Sequence, residues 1–296
     1  KNTAIGYLAL TNLGNSVTYG GVRNTAVGYE AGGSGVFGGG SDGDGDDNTM
    51  VGREAGKVIT TGSTNTIVGS AAGKALTTGS SNVLLGKSAG TALAGAAYNI
   101  AIGNYALKTE DASGGTVAIG HLALEDQDVA NAKNVAVGYN AAKNLTSGTD
   151  SVYIGFEAGG AGTITGGYNT VVGKMAAYDL TSGYSNVMIG MNAGANATTA
   201  ARNIIIGHDA CGLGTLANAT GAQGKYNIVI GNDAGIDLAT GYSNVLIGDS
   251  SGANLTDGQD NIAIGAFALD AADAGEHKNI AIGTNTLGAE TSGADG

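Results

Sequence analysis

Asn82-Val83-Leu84-Leu85-Gly86-Lys87-Ser88-Ala89-Gly90 decides the fold, because the rest of the chain repeats it with variations. The pattern is Asn, a β-branched residue, an apolar residue, an aliphatic residue and Gly, then two free positions and Ala. The Gly recurs sixteen times, at Gly6, Gly28, Gly52, Gly69, Gly86, Gly103, Gly120, Gly138, Gly155, Gly173, Gly190, Gly207, Gly231, Gly248, Gly265 and Gly283. Successive steps are 22, 24, 17, 17, 17, 17, 18, 17, 18, 17, 17, 24, 17, 17 and 18 residues. A short fixed period along a whole chain is the signature of a solenoid, in which each repeat packs only on its neighbours.

Each position of the repeat carries a physical meaning. Thr, Val or Ile stands three before the Gly, and Val, Ile or Leu one before it. Such residues two apart mark a strand and share one face, which is expected to be the core. The residue between them should then face water, yet it is apolar too, as in Leu84, Ile205 and Leu246. A strand apolar on both faces is buried on both. Side-by-side association of identical chains is therefore expected, with those middle residues at the interface.

The Gly permits a sharp turn. Ala three places later recurs in all repeats but two, where Ser251 and Thr286 replace it, and implies a tight corner. Leu76, Leu93, Leu145, Leu180, Leu238 and Leu255 follow seven after the Gly, and polar turns such as Thr77-Thr78-Gly79-Ser80 close the unit. Each unit thus reads as strand, Gly corner, short second strand and Gly turn, one rung of an all-β solenoid. Sixteen rungs at ~4.8 Å would rise roughly 70–75 Å. Residues 1–296 are expected to form one such domain, a piece of a longer fibre protein.

Asn stands four before the Gly in every repeat except those with Thr116 and Ser151. Stacked rungs would set Asn65, Asn82, Asn99, Asn134, Asn169, Asn186, Asn203, Asn227, Asn244 and Asn261 above one another as a structural amide ladder.

These units resemble two groups of fibrous proteins. Ser151-Val152-Tyr153-Ile154-Gly155 and Asn261-Ile262-Ala263-Ile264-Gly265 are similar to the head repeats of trimeric autotransporter adhesins. Asn24-Thr25-Ala26-Val27-Gly28-Tyr29 resembles the repeats of bacteriophage tail fibres. The resemblance covers nearly the whole chain, and the unit is longer than that of adhesin heads. It implies a left-handed parallel β-roll, three of which pack into a homotrimer. It also implies an extracellular place, on a virion tail or a cell surface, and a host receptor or glycan as partner.

Composition narrows the function classes. The chain holds 55 Gly and no Pro among 296 residues. Absence of Pro suits unbroken backbone ladders, since Pro removes a donor. A net charge of −12 opposes binding to nucleic acid, whose phosphates call for Lys and Arg. No apolar run is long enough to span a membrane, so the protein is not expected to be membrane-embedded. Cys211 stands alone, at a place where other repeats have Gly, Ala or Leu, and reads as a small buried filler.

Candidate chemistry is sparse. Gly69 to Lys74 and Gly52 to Lys57 are each one residue short of a phosphate loop and lack the following Ser or Thr. His121, His208 and His277 are scattered and make no evident metal cluster. No nucleophile and base stand together, so no enzyme activity is expected. Asp42, Asp44 and Asp46 alternate with Gly as calcium ligands do, or form a solvated acidic loop. Calcium is the one cofactor this suggests. Tyr98, Tyr168, Tyr184, Tyr226 and Tyr242 lie at the turn before the Asn, where they could stack on sugars or cover the neighbouring turn. Two insertions, Gly32 to Asp47 and Gly212 to Tyr226, lengthen the step and are expected to protrude.

The expected function is a structural fibre or adhesin shaft that mediates attachment. The alternatives are a solenoid binding a lattice such as ice, a carbohydrate-binding solenoid, and a passive filament subunit.

Overall fold

The computed structural model describes residues 1–13, 21–38, 44–110, 114–217, 223–271 and 276–288. The chain is an all-β parallel solenoid with about 17 residues per turn, and no helix occurs among the described residues. None of them forms a helix long and apolar enough to cross a membrane.

Two compact units divide the chain, Lys1–Thr149 and Asp150–Gly296. The first holds β1 (Thr3–Ile5), β2 (Thr25–Val27), β3 (Thr49–Val51), β4 (Thr66–Val68), β5 (Val83–Leu85), β6 (Ile100–Ile102), β7 (Val117–Ile119) and β8 (Val135–Val137). The second holds β9 (Val152–Ile154), β10 (Thr170–Val172), β11 (Val187–Ile189), β12 (Ile204–Ile206), β13 (Ile228–Ile230), β14 (Val245–Ile247), β15 (Ile262–Ile264) and β16 (Ile280–Ile282). Within each unit every strand pairs in parallel with the next, and equivalent repeat positions align. Val83, Leu84 and Leu85 thus sit beside Ile100, Ala101 and Ile102.

Backbone bonding runs well beyond the three-residue strands. From one rung to the next, Gly86 N–H donates to Val68 O at 2.8 Å, Ser88 N–H to Ser70 O at 2.9 Å and Ser81 N–H to Ser63 O at 2.9 Å. Thr77 N–H bonds forward to Ala94 O at 2.8 Å. The corner is closed within the rung, as Ala89 N–H donates to Gly86 O at 3.3 Å. The repeat Gly has a stronger reason than flexibility. A Cβ on Gly86 (φ +134°) would lie 2.5 Å from Gly103 O of the adjacent rung, and one on Gly207 (φ +145°) only 2.0 Å from Gly231 O. No side chain fits between corners stacked this closely.

The strand faces correct the sequence reading. The middle residues are buried and the flanking residues are half-buried or exposed in all strands but β1. Leu84, Ile205 and Leu246 have no exposed surface and fill the inside of the coil, so they line no interface. The flanking Thr, Val and Ile point outward instead. The cause is parity. Asn82 and Leu84 are two apart and share a face. With the Asn column inside, the middle residue is inside as well.

In most rungs the interior is filled by a volume exchange, whereas Ala136 and Ala142 are both small. Ala101 and Ala118 are matched by Leu107 and Leu124, four after the Gly. Met50, Ile67, Leu84, Tyr153, Met188 and Leu246 are matched at that place by Gly56, Gly73, Gly90, Gly159, Gly194 and Gly252. A Cβ on Gly194 would meet Met188 Sδ of its own rung at 2.8 Å, and one on Gly73 would meet Ile67 Cδ1 of its own rung at 3.4 Å and Leu84 Cδ1 of the next at 2.8 Å. Where the middle residue is Ala26, the added bulk comes from buried Phe37, whose Cζ would lie 3.0 Å from a Cβ on Gly32. Cys211 fills this column opposite Ile205. Its thiol is fully buried, and burial pushes its pKa up to about 12.

The described parts of both insertions stay in register with neighbouring rungs. Phe37 N–H donates to Asn12 O at 2.9 Å, and Gly45 N–H to Thr61 O at 3.1 Å. Ala217 N–H donates to Ala239 O at 3.1 Å, and Gly224 N–H to Thr240 O at 3.2 Å. The remainder, 39–43 and 218–222, lies outside the described residues.

Candidate functional site

The Asn column lies inside the coil. Asn82 Nδ2 donates to Asn65 Oδ1 at 3.0 Å and to Ala96 O at 2.9 Å. Asn82 Oδ1 in turn accepts the Asn99 N–H at 2.9 Å. The same bonds link Asn48 to Asn65, and Asn169 through Asn186, Asn203, Asn227 and Asn244 to Asn261. At the two interruptions other side chains fill the space. Beside Thr116, buried Gln127 donates to Glu110 Oε2 and accepts from Asn134 Nδ2, both at 2.8 Å. Beside Ser151 the middle residue is Tyr153, the largest side chain in the core. Burial raises the pKa of its phenol, with Asn169 and Ser151 opposing the shift.

The outward face of the strands is uniform in chemistry. No strand carries a charge at either flanking position. Ile5, Val68, Ile154, Ile204, Ile264, Ile280 and Ile282 are exposed, and nearly all the other flanking residues are half-buried. The first four rungs add a column of Thr3, Thr25, Thr49 and Thr66 in direct register. The sequence reading had the faces reversed and so missed this surface. A contiguous apolar face on a chain this acidic is the usual mark of an interaction surface.

The acidic segment is dispersed. Asp42 lies outside the described residues. Asp46 is buried and spans two neighbours, its Oδ1 accepting Val22 N–H at 2.7 Å and its Oδ2 accepting Arg23 Nη2 at 3.1 Å. Arg23 also binds Asp47, whose pKa its hydrogen bond lowers. Asp44 is half-buried.

The tyrosines form no single platform. Tyr98 and Tyr168 are among the most exposed large apolar side chains, at 73% and 64%. Tyr184 and Tyr226 flank Arg202, whose guanidinium lies 5.3 Å and 5.6 Å from their ring centres. Arg202 Nη1 donates to Tyr226 Oη at 2.7 Å. Tyr242 donates its hydroxyl to Gln259 Oε1. Self-satisfied aromatics of this kind cover the turn.

Another ionic cluster surrounds Glu54, which binds Arg53, Lys57 and Lys74, while Lys57 reaches Glu30 at 2.7 Å. Hydrogen bonds from Lys57 and Lys74 hold the Glu54 carboxyl below its ordinary range. His208 is not isolated either. Scattered in sequence, it comes beside Asp209 and Asp233, which share one corner column in adjacent rungs. Counting places from the repeat Gly, rather than along the chain, would have found them.

No family model, curated protein or solved structure matches the chain.

Proposed function

We propose that this chain is a structural shaft segment of an extracellular attachment fibre, on a phage tail or a cell surface, assembled as a homotrimer through its outward β-branched face. The observation that carries the proposal is the charge-free row of Thr, Val and Ile along the outside of the strands. Burying such a face yields roughly 25 cal/mol per Å² of apolar surface, and a rung-by-rung face multiplies that gain. The repeat-level resemblance to tail fibres and adhesin heads favours three chains. The shaft holds other surfaces in place, and a host receptor or glycan is the target of the assembled fibre. No catalytic role is proposed.

Sedimentation of the chain at micromolar concentration tests the assembly, with a trimer expected and a stable monomer overturning it. Electron micrographs of the native particle test the location, where labelled chain on tail fibres or surface filaments is expected.

A second reading rests on the outward Thr column of the first four rungs. A lattice binder such as an ice-binding solenoid needs a regular outward Thr array, and here Val or Ile takes over from β5, apart from Thr170. Thermal hysteresis in solution would favour that reading over the fibre.

A further inference from the structure

We propose that His208, Asp209 and Asp233 form a surface site for a divalent transition cation of the zinc type. The three side chains come from two adjacent rungs. His208 and Asp209 follow Gly207 directly, and Asp233 stands two after Gly231. The Asp233 N–H donates to His208 O at 3.0 Å, which locks the two corners in register. Asp209 and Asp233 share the same left-handed backbone conformation, each with φ of 52°, so their side chains leave equivalent corners. One ligand atom from each of the three residues lies within 4.8 Å of the other two.

The donor set has a clear preference. Imidazole with carboxylates suits zinc and its first-row neighbours, whereas calcium prefers oxygen alone. Three protein ligands leave one tetrahedral position for water. Neighbouring amides hold one oxygen of each carboxylate. Asn192 Nδ2 donates to Asp209 Oδ1 at 2.8 Å, and Asn232 Nδ2 to Asp233 Oδ2 at 2.7 Å. Second-shell bonds of this kind fix ligand orientation in metal sites.

The charge balance points the same way. Among the described residues, neither carboxylate pairs with Lys or Arg, and Asp209 pairs only with His208, at 3.1 Å. Asp249 adds a further carboxylate one rung on, bound to Asn232 Nδ2 at 3.2 Å. Stacked carboxylates on a chain of net charge −12 repel one another, and a dication relieves that repulsion. The Tyr-Arg-Tyr stack and the Glu54 cluster differ on this point, since each already contains its own cations.

The test is calorimetric titration of the chelator-treated full chain with zinc chloride, with cobalt(II) absorption as a second readout. One saturable site per chain is expected. His208→Ala and Asp233→Asn should each weaken it by about tenfold or more. His121→Ala, at the equivalent corner place of another rung, should leave it unchanged. His208 is exposed and the two Asp are half-buried, and unchanged circular dichroism checks that each variant folds. The proposal is overturned by a wild-type chain that takes up no stoichiometric metal, or by variants that bind like it. Its failure would leave the fibre reading untouched, since the outward strand face contains none of these residues.

Discussion

Asn82 shows how one side chain joins three turns of backbone. It bonds back to Asn65, forward to Asn99 and sideways to Ala96, with no exposed surface. Replacing Asn82 by Ala removes these bonds and leaves buried partners unsatisfied, at about 1 kcal/mol or more for each. Asn82→Ala with Asn99→Ala should lower the melting temperature clearly, and an unchanged melting curve would deny the column its structural role. Glu54 gives a pH dependence instead. Its folded pKa is depressed from the ordinary 4.5, chiefly by hydrogen bonds from Lys57 and Lys74. The contribution is therefore present above 4.5 and is lost as pH falls through the folded value. Melting temperature should fall on acidification below that point, and Glu54→Gln should flatten this part of the profile. An identical profile in the variant would assign the acid sensitivity to other groups.

The rung is the element at which sequence and structure can be compared most closely. The strand before each Gly, the period and the parallel register were legible, because the Gly recurs at fixed phase. The expected second short strand is absent among the described residues, where the stretch after the Gly runs as consecutive turns. The ten Asn picked out by spacing are all buried, and all but Asn134, which bonds Gln127 and Gly148, bond to another Asn of the column. The direction of the strand faces was misread, because both faces are apolar and hydrophobicity alone gives no vector. Parity held the answer, since an inward Asn82 requires an inward Leu84. The volume exchange was equally present in the sequence but appears only when two columns are read together. It makes a prediction at Met188 and Gly194, a pair without a Leu seven after the Gly, where Ala197 stands. Met188→Ala alone should cost about 2–5 kcal/mol by opening a cavity. Gly194→Leu alone should cost about 1–3 kcal/mol by overpacking. Leu107 and Leu124 adopt the required positive φ, 51° and 50°, so the backbone accepts the change. The double variant copies the Ala101 and Leu107 rung and should lose less than the two single changes added together. Strict additivity in chemical denaturation would refute the exchange.

At the scale of the whole molecule, inward and outward faces have opposite tolerance to charge. The inside of each unit is closed by its own rungs, so a charge at Leu84 has no water and no partner. Leu84→Glu should therefore prevent folding. The outside is apolar without being enclosed, and there the reading of assembly stands or falls. Ile102 and Ile119 are adjacent in register on β6 and β7, half-buried and outward. Ile102→Lys combined with Ile119→Glu places opposite charges side by side, an arrangement that a parallel ladder tolerates. Their desolvation between chains would be costly. Circular dichroism of this variant should match the wild type while sedimentation shifts from trimer to monomer. If the wild type is a trimer and the variant remains one, the chains meet through another surface. If the variant unfolds, the flanking residues support the rung itself and the outward face is not available for assembly.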